Sequence, residues 1–456
     1  MLVPKSIFRQ YDVRGLVGSE LTPALARALG RAYATLAWER VGRAPVLAVG
    51  RDNRPSGTAL TDEVRAGIVE TGATAVDVGV LPTPALYLAV FALETDGGLQ
   101  VTGSHNPPEF NGFKMVLAGD SVHGEDILTL YDIISAERYR SGDGRHATDG
   151  SILGRYREAI LARNTLKRPV SVVVDCGNGA GSLIAVSTLQ GLGAVVTPLF
   201  CESDGTFPNH HPDPTVPENL VALQAEVRRS GAELGIAFDG DADRIGAVDE
   251  TGRVIFGDQL LILFGRDAVR RFGVGTPIIF DVKCSQLLPD ALSAAGATPI
   301  MWKTGHSLIK AKMKEMKSPL AGEMSGHMFF GGDYFGFDDA LFAAARLLEI
   351  VSAGREGLSC LFADLPRTFN TPEIRVDCAD DIKFEVVERA ARYFAKKYPV
   401  KTIDGVRMLF PKGWGLIRAS NTQPILVLRF EATDADALAE YQHEVTAWLQ
   451  DENVNA

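Results

Sequence analysis

The sequence predicts an α/β protein of three similar modules with mixed sheets, followed by a smaller C-terminal α+β domain. Strand-like and helix-like segments alternate through most of the 456 residues, which is the pattern of an α/β fold. One arrangement of prolines, aspartates and Gly-Ala pairs recurs three times along the chain. After Leu365-Pro366 the segments change to strands and helices of a different order, which is typical of a smaller α+β domain.

Each copy of the repeat begins with a proline, an apolar strand and an aspartate. These segments occupy residues 45–52, 169–175 and 277–281. A helical stretch follows, and a Gly-Ala pair then begins the next strand, at Gly72, Gly193 and Gly296. The spacing from proline to glycine falls from 27 to 24 to 19 residues, so the modules are divergent relatives of one another and not a solenoid of fixed period.

The composition is that of an ordinary soluble globular protein, with 46% hydrophobic and 23% charged residues. At about one domain per 100 to 150 residues, the length suggests three or four domains. The net charge of -11 argues against nucleic acid or an anionic membrane as partner, because phosphates require a positive face. The five cysteines are scattered and form no Cys-x-x-Cys, and apolar runs are short. We therefore expect reduced thiols, no zinc site and a cytoplasmic location.

The third strand of each module runs into an unusual loop. The loops contain Thr102-Gly103-Ser104, Asp239-Gly240-Asp241 and Glu323-Met324-Ser325-Gly326-His327. Open α/β sheets bind ligands at the carboxyl ends of their strands, so we expect these loops to converge on one cleft. The first loop continues into His105-Asn106-Pro107-Pro108, whose prolines stiffen the chain beside the Ser104 hydroxyl.

Two residues near the first loop are assigned structural roles from the sequence. Thr83 and Pro84 predict the start of a helix, with Thr83 as N-cap and Pro84 at the first helical position.

A catalytic pair of Ser104 with His105 is not expected, because neighbouring residues of an extended segment face opposite sides.

The segment Asp239-Gly240-Asp241-Ala242-Asp243-Arg244 places three carboxylates at alternate positions. Such crowding is relieved by a cation, and ligands that are all oxygen favour a hard divalent ion, with Mg²⁺ first. A solvated acidic turn is an equal alternative for this hexamer taken alone. The spacing to Glu250 also imitates a calcium-binding EF-hand loop, but Arg244 stands where that loop requires glycine.

A glycine-rich run follows the strand that ends at Asp175. Its order, Cys176-Gly177-Asn178-Gly179-Ala180-Gly181, has the spacing G-x-G-x-G. Dinucleotide-binding loops have the spacing G-x-G-x-x-G. The run therefore predicts a tight turn from strand to helix and not a nucleotide site.

Groups suited to phosphate are distributed along the chain. They are Arg14, Lys283, the trio Gly305-His306-Ser307, and the segment Arg418-Ala419-Ser420-Asn421-Thr422. The last segment combines a guanidinium with three small side chains that donate hydrogen bonds. Each group alone is more often a surface charge or a turn. Together with an acidic loop and a serine, they favour phosphoryl transfer.

Five motifs in one order carry a family resemblance. YDVRG, TGSHNPP, DGDADR, GEMSGH and RASNTQP together resemble the α-D-phosphohexomutases, most closely the bacterial phosphomannomutase/phosphoglucomutase group. The resemblance implies a heart-shaped enzyme of four domains around a central cleft. The expected domains are 1–150 with the phosphoserine loop, 151–254 with the metal loop, 255–366 with the sugar-recognition loop, and 367–456, which binds phosphate.

The resemblance also implies roles for individual residues. Ser104 carries phosphate in the active state and, with Asp239, Asp241 and Asp243, binds one Mg²⁺ per chain. The expected substrate-binding residues are Lys283, Gly305, His306, Glu323, Ser325, Arg418, Ser420, Asn421 and Thr422. The expected catalytic residues besides Ser104 are Arg14, Lys114, Arg244 and His327. Lys114 and His327 are the candidates for general acid and base, and a lysine in that role would need a lowered pKa.

The activity that the resemblance implies is reversible interconversion of hexose 1-phosphates and hexose 6-phosphates. Mannose and glucose forms are both expected as substrates, with a hexose 1,6-bisphosphate as intermediate and activator. A phosphoglucosamine mutase is the enzymatic alternative, which Glu323-Met324-Ser325 disfavours. A non-catalytic sugar-phosphate-binding relative is the other alternative, and it would be expected to lack one of the catalytic residues.

Overall fold

The computed structural model describes residues 3–421 and 423–454, which form four β-sheets with helices packed against them. The α/β class, the three related modules and the separate C-terminal domain are confirmed. The domain boundaries expected at residues 150, 254 and 366 stay a prediction.

Domain 1 contains a sheet of seven strands. Its elements are β1 (Val13–Leu16), α1 (Pro23–Val41), β2 (Val46–Arg51), α2 (Gly57–Val69), β3 (Thr74–Val80), α3 (Thr83–Ala92), β4 (Gly97–Val101), β5 (Phe110–Leu117), β6 (Asp120–Ser121), α4 (Glu125–Ser135) and β7 (Arg145–Thr148). The strand order is β1-β5-β4-β2-β3-β7, and β6 pairs with β5.

Domains 2 and 3 have smaller sheets. The elements of domain 2 are α5 (Ile152–Leu161), β8 (Ser171–Asp175), α6 (Ala185–Gly191), β9 (Val195–Leu199), α7 (Val221–Ser230), β10 (Leu234–Phe238), β11 (Ile245–Asp249) and β12 (Val254–Ile255). The elements of domain 3 are α8 (Gly257–Phe272), β13 (Pro277–Asp281), α9 (Leu287–Ala294), β14 (Thr298–Trp302), α10 (His306–Met316), β15 (Leu320–Gly322), β16 (Met328–Phe330) and α11 (Ala340–Ser352). Their strand orders are β12-β11-β10-β8-β9 and β14-β13-β15-β16.

The three sheets share one topology, which explains the repeat in the sequence. The strand after each repeat proline (β2, β8 or β13) lies between two parallel neighbours, and a further strand (β5, β11 or β16) pairs antiparallel with the third strand of the module. Gly72, Gly193 and Gly296 precede the second strand of each module and all have a φ near +90°. Because glycine adopts this left-handed conformation without a steric penalty, it is suited to the turn that returns each helix to the sheet.

Domain 4 contains a sheet with its own topology. Its elements are β17 (Phe369–Asn370), β18 (Ile374–Asp377), α12 (Lys383–Phe394), β19 (Val400–Lys401), β20 (Val406–Phe410), β21 (Gly413–Ala419), β22 (Ile425–Ala432) and α13 (Ala435–Asp451). The order is β17-β22-β21-β20-β19, and β18 pairs with β22. The strands and helices expected after Leu365-Pro366 are present.

The largest hydrophobic core is shared by the first three domains. It contains Tyr87 of α3, Tyr156 of α5, Phe264 of α8 and Phe342 of α11, all buried. Domain 4 has a core of its own between its sheet and the helices α12 and α13. A second core within domain 1 contains Leu99 and Val101 of β4, the strand before the Ser104 loop, whereas β10 and β15 pack into the shared core. Within residues 3–421 and 423–454, every helix is too short or too polar to traverse a lipid bilayer.

Candidate active site

The loops that follow β4, β10 and β15 meet, as expected from the sequence. Ser104 Oγ of the first loop lies 3.0 Å from Asp239 Oδ2 of the second. Asp243 Oδ1 of the second loop lies 3.1 Å from His327 Nε2 of the third. Residues from three domains therefore form a single polar cluster at the carboxyl ends of the strands.

The Ser104 loop is held in an uncommon backbone conformation. Ser104 has a φ of +50° and is only 1% exposed. Its amide donates to Thr102 Oγ1 at 2.9 Å, and its carbonyl oxygen accepts from Arg54 Nη2 at 2.8 Å. Gly240 packs directly beneath the loop, since a Cβ on this residue would lie 2.4 Å from the Ser104 carbonyl oxygen. The loop is thus fixed by its own hydrogen bonds, by one arginine and by the neighbouring domain.

The expectation that Ser104 and His105 face away from each other is wrong. His105 Nδ1 lies 3.1 Å from Ser104 Oγ. The expectation assumed an extended segment, but the positive φ of Ser104 turns the chain so that the two side chains lie on the same side. Burial, and then the charge of Arg244, hold the pKa of His105 well below its usual value. The ring is therefore a neutral imidazole beside the serine hydroxyl.

The acidic loop after β10 curls around Asp239. One oxygen of this carboxylate, Oδ1, accepts hydrogen bonds from the amides of Asp243 and Arg244, both at 3.0 Å. Ala242, with a φ of +57°, provides the bend that makes this possible. The turn orients the side chains of Asp239, Asp241 and Asp243 inward, and all three are fully buried.

The three carboxylates fit a divalent cation. One oxygen from each lies within 4.8 Å of the others. Asp241 Oδ1 is buried and has no hydrogen-bond partner among the residues that the structure describes. Burial, followed by the charges of Asp243 and Asp241, raises the pKa of Asp239 well above its usual value. A cation relieves both problems, because it pairs with the orphan oxygen and favours the ionised carboxylates.

Lys114 lies against the same carboxylates. Its Nζ donates to Asp241 Oδ2 at 2.8 Å and also to Asp243 Oδ2. Burial acts to lower the pKa of Lys114, but Asp241 and Asp243 outweigh burial and raise it. This direction is opposite to the one expected for a catalytic base, and in this arrangement Lys114 is an ammonium cation that neutralises part of the acidic loop.

Thr83 contacts the acidic loop and does not act as the predicted N-cap. Helix α3 begins at Thr83, with Pro82 before it, and no side chain in the described part of the chain caps its first turn. The Thr83 hydroxyl donates instead to Asp241 Oδ2 at 2.6 Å. Thr102 Oγ1 is 3.2 Å from the same oxygen. The tertiary contact with a buried carboxylate has replaced the local capping hydrogen bond.

His327 connects the third loop to the acidic loop. Its Nδ1 lies 2.8 Å from Glu323 Oε2, and its Nε2 contacts both Asp243 and Arg244, whose Nε is 3.3 Å away. Ser325 Oγ is 3.3 Å from Nδ1. Burial acts to lower the pKa of His327, but Asp243 foremost raises it to about 9. His327 is therefore charged at neutral pH and is held between two carboxylates.

The Gly305-His306 segment lies beside the third loop. The Gly305 amide donates to Glu323 Oε1 at 2.6 Å. Gly305 has a φ of +130°, and a Cβ at this position would lie 2.4 Å from the ring of Tyr11. His306 Nδ1 is 3.4 Å from Asp338 Oδ2, and burial holds the pKa of His306 well below its usual value. Glycine is required here by both the backbone conformation and the close approach of domain 1.

Domain 4 contacts domains 1 and 3 beside the site. Asn421 Nδ2 lies 3.0 Å from the hydroxyl of Tyr11 in domain 1. Arg418 Nε donates to Asp404 Oδ2 at 2.6 Å, and Lys283 of domain 3 donates to Glu373 at 3.1 Å.

The remaining predicted residues are placed as follows. Arg14 Nη1 donates to Asn106 Oδ1 of the first loop at 2.6 Å. Ser420 is buried and its Oγ accepts from the Gln423 amide at 3.2 Å. Thr422 lies outside the residues that the structure describes.

Several residues of the site were not found from the sequence. They are Arg54, which holds the first loop; Thr83 and Thr102, which contact Asp241; and Asp281 and Asp404, which accept hydrogen bonds from Thr304. Arg54 and Asp281 lie at or just beyond the ends of β2 and β13, so their position after a strand was a usable signal. Asp404 has no such signal, because it lies in a turn of domain 4.

Comparison with protein families covers most of the chain. Models described as phosphoglucomutase/phosphomannomutase alpha/beta/alpha domains I, II and III match residues 5–141, 154–252 and 256–369. The model of the C-terminal domain of the same family matches residues 373–447.

Individual relatives are similar over nearly their full lengths. A phosphomannomutase/phosphoglucomutase of Pseudomonas aeruginosa is 49% identical, covering 96% of this chain and 94% of that protein. A phosphoglucomutase of Neisseria gonorrhoeae is 44% identical, covering 98% and 97%. The crystal structure of a phosphoglucomutase/phosphomannomutase family protein of Burkholderia thailandensis has a TM-score of 0.91 at 41% identity, covering 99% of this chain and 98% of that one. The chain therefore belongs to the phosphoglucomutase/phosphomannomutase family.

Proposed function

We propose that this protein is a phosphohexomutase that interconverts hexose 1-phosphates and hexose 6-phosphates of mannose and glucose. One observation carries the proposal: the Ser104 hydroxyl lies 3.0 Å from a buried triad of aspartates. A serine in this position can carry a phosphoryl group whose charge is neutralised by a cation in the triad. The names of the relatives, which are mutases for glucose and mannose phosphates, support the same activity.

Ser104 Oγ is the proposed phosphoryl carrier. In the active state its phosphoryl group passes to the free hydroxyl of a hexose phosphate, which gives a hexose 1,6-bisphosphate. The bisphosphate then reorients within the site, and its other phosphoryl group passes to Ser104. The rigid support of the loop by Arg54 and Gly240 keeps Oγ in place through both transfers.

Mg²⁺ is the proposed cofactor, held by Asp239, Asp241, Asp243 and Ser104. When bound, it supplies positive charge that stabilises the phosphoryl group during transfer. Arg244 and Arg14 add positive charge. Arg244 contacts His327, and Arg14 contacts Asn106 of the serine loop.

Lys114 and His327 are the proposed groups for proton transfer. The sugar hydroxyl loses a proton when it accepts the phosphoryl group, and it regains one in the reverse step. Both side chains contact Asp243, and both are protonated in the present arrangement. In this form either group can donate a proton to the departing sugar oxygen. The opposite direction requires the group to have lost that proton, and the raised pKa of Lys114 opposes this loss.

The third loop is proposed to bind the hydroxyl groups of the sugar ring. Glu323 is fixed by the Gly305 amide and by His327, and Ser325 stands beside the same histidine. Two groups that bind adjacent hydroxyls of the ring meet equivalent hydroxyls after the sugar has reoriented. Such a loop makes no contact that depends on the configuration at C2, where glucose and mannose differ, which supports activity on both sugars.

Domains 3 and 4 provide the proposed site for the phosphate that does not react. Arg418, Ser420, Asn421 and Lys283 come together there, and the resemblance assigns Thr422 to the same group. Arg418 and Lys283 are paired with Asp404 and Glu373, so these two cations are present at the cleft and can exchange a carboxylate for a phosphate. Small sugar phosphates are the proposed partners, and a cytoplasmic location stays a prediction.

A coupled assay tests the activity. The magnesium-loaded protein would be supplied with mannose 1-phosphate, glucose 1-phosphate or glucosamine 6-phosphate and a trace of hexose 1,6-bisphosphate. We expect turnover of the first two substrates. Absence of turnover with both, or a clear preference for the glucosamine substrate, would contradict the proposal.

The covalent role of Ser104 is tested by intact mass. Part of the purified protein should be heavier by one phosphoryl group, and Ser104→Ala should lack that species. Ser182→Ala is a suitable control, because Ser182 Oγ is also buried but lies in domain 2, directly after the glycine-rich run. Extra mass that persists in Ser104→Ala would show that another residue is the carrier.

A further inference from the structure

Two cysteines of domain 2 lie side by side at the ends of neighbouring strands. Strands β8 and β9 are parallel and end together, with Asp175 opposite Leu199. Cys176 follows the first strand directly, and Cys201 lies two residues beyond the second. Their Sγ atoms are 3.2 Å apart, and both are free thiols. A disulfide requires the sulfur atoms to approach to about 2.05 Å, so only a small local movement separates this pair from a covalent bond.

One thiol of the pair is accessible and the other is not. Cys176 is completely buried, whereas Cys201 is partly exposed. Cys201 lines a cavity of about 530 Å³ together with Asn178, Phe200 and Glu202. This cavity is large enough to admit a small oxidant to the Cys201 sulfur, while Cys176 stands behind it as the second thiol.

The pKa values of the two thiols also differ. The hydrogen bond with Cys176 lowers the pKa of the Cys201 thiol, although burial opposes this effect. The same hydrogen bond and burial raise the pKa of Cys176 well above its usual value. Cys201 is the thiol that meets an oxidant first, because it lines the cavity while Cys176 is completely buried.

The segment that begins at Cys176 supports the acidic loop. The Ala180 amide donates to the Gly240 carbonyl oxygen at 2.8 Å. The Asn178 carbonyl oxygen accepts from Asn53 Nδ2 of domain 1 at 2.7 Å. Gly240 in turn packs against the Ser104 loop. These contacts connect the segment of Cys176 to both the acidic loop and the serine loop.

We propose that Cys176 and Cys201 form a redox site. Peroxide oxidises the two thiols to a disulfide within domain 2, and the enzyme is slower while this disulfide is present. The covalent part of this proposal is independent of the activity, and the effect on rate rests on the proposed mutase function. None of the assigned catalytic or binding residues takes part in the oxidation.

The oxidation proceeds in two balanced steps. Cys201 Sγ attacks one oxygen of hydrogen peroxide, the O–O bond breaks, and the departing oxygen leaves as water with the proton that Cys201 has lost. This leaves a sulfenic acid on Cys201. Cys176 Sγ then attacks Cys201 Sγ, the S–O bond breaks, and a second water leaves with the proton of Cys176. One peroxide is thus reduced to two waters while two thiols are oxidised to one disulfide.

The experiment uses the full chain in its reduced, magnesium-loaded form. It would be treated with increasing hydrogen peroxide, alkylated, and measured by intact mass and by peptide mapping without reductant. We expect a species that carries two alkyl groups fewer than the alkylated reduced protein, with the peptides of Cys176 and Cys201 joined. We also expect kcat to fall roughly 10- to 100-fold, because small displacements of reacting groups have effects of this size. Dithiothreitol should reverse both changes.

Two variants provide the comparison. Cys201→Ser should not form the linked species and should keep its activity under peroxide. Cys360→Ser removes an exposed, unpaired cysteine of domain 3 and should behave like the unaltered protein. Circular dichroism would establish that Cys201→Ser is folded, and Cys201→Ala serves if it is not. Oxygen added to Cys201 without linkage, or a link through another cysteine, would overturn the redox site. Linkage with unchanged kcat would overturn its effect on the enzyme.

Discussion

Arg54 donates a hydrogen bond from Nη2 to the carbonyl oxygen of Ser104 at 2.8 Å. The same guanidinium also donates to the carbonyl oxygens of Asn106, Pro107 and Phe110, at 2.6 to 2.9 Å. One buried arginine thus holds four carbonyl groups of the loop that positions the serine. Because the planar guanidinium presents several donors in fixed directions, it defines the shape of the loop more closely than any single contact could.

Replacement of Arg54 by lysine should impair the chemical step. The ammonium group keeps the charge but has fewer donors and cannot reach all four carbonyl oxygens. We expect kcat to fall about 100-fold, with a much smaller change in KM, since Ser104 would be misplaced and the sugar site left intact. Steady-state kinetics of Arg54→Lys would measure both constants.

Arg27→Lys is the matched control for this prediction. Arg27 lies in the same domain, is half exposed and pairs with Glu70 on the surface. Its substitution should leave kcat unchanged. If Arg54→Lys retained the kcat of the control, the rigid support of the serine loop would have no catalytic role.

Asp241→Asn should weaken magnesium binding and activity together. Asp241 Oδ2 already accepts hydrogen bonds from Thr83 and Lys114, and Oδ1 is the oxygen without a partner among the described residues. An amide removes one negative charge from the site, so we expect the Mg²⁺ affinity to fall roughly 10- to 100-fold. Calorimetric titration of the metal-free protein would measure the affinity without any substrate.

The control for the metal site is Asp204→Asn, which alters an exposed aspartate of the same domain whose side chain accepts from nearby Thr206. Its Mg²⁺ affinity and kcat should equal those of the unaltered protein. An Asp241→Asn protein with normal magnesium affinity would show that the cation binds elsewhere.

The sequence predicted the part of the site that follows from strand ends. Ser104, Asp239 and Glu323 each follow the third strand of a module, so the repeat alone was enough to infer that they meet. The prediction failed where local rules were overridden by tertiary contacts. Thr83 has the sequence of an N-cap, but a buried carboxylate from another domain competes for its hydroxyl.

Other features of the site depend on distances that no short motif encodes. His105 faces Ser104 because of one positive φ, which a sequence read as extended cannot show. Arg54 is separated from Ser104 by fifty positions, and its role arises only when β2 and β4 pair. The paired charges of Lys283 and Glu373 likewise require domain 4 to be placed against domain 3.

Arg407 of domain 4 should be important for substrate affinity. Its Nη1 donates to the carbonyl oxygens of Val282 and Cys284, at 2.6 and 2.8 Å, on either side of Lys283. The guanidinium is fully buried and stacks on Trp414, 3.6 Å from the ring centre. We expect Arg407→Lys to raise KM for the hexose phosphate roughly tenfold, because loss of one charge-assisted hydrogen bond to a binding loop has about this effect.

The kcat of Arg407→Lys should change much less than its KM, because Lys283 belongs to the proposed site for the phosphate that does not react. Arg392→Lys is the control, since Arg392 lies in the same domain with its side chain 68% exposed. A fall in kcat with unchanged KM would place the role of Arg407 in the chemical step and contradict its assignment to substrate binding.

Asp339 should make stability depend on pH near neutrality. It begins helix α11, where Oδ1 accepts from the Phe342 amide and the Tyr156 hydroxyl, and Oδ2 accepts from Tyr334. Burial raises the pKa of Asp339 to about 7, although these three hydrogen bonds act to lower it. The folded protein therefore binds the proton of this carboxyl more tightly than the unfolded chain does.

Because the pKa of Asp339 is raised on folding, the contribution of this group to stability decreases as the pH rises. The stabilising contribution is complete below the pKa of the unfolded chain, about 4, and is lost as the pH rises through about 7. Asp339→Asn keeps a neutral side chain at every pH and does not show this loss. Relative to the unaltered protein, the variant should gain about 2 kcal/mol between pH 5 and pH 8. Urea unfolding followed by circular dichroism at both pH values would measure the difference.

Asp434→Asn is the matched control for the pH effect, because Asp434 also begins a helix and accepts from the Ala437 amide, but it is exposed to solvent. The hydrogen bond from that amide lowers the pKa of Asp434, so its contribution is complete above the pKa of the unfolded chain and constant between pH 5 and pH 8. The difference between Asp434→Asn and the unaltered protein should therefore be the same at both values. If Asp339→Asn also gave a constant difference, Asp339 would already be ionised in the folded protein at pH 5.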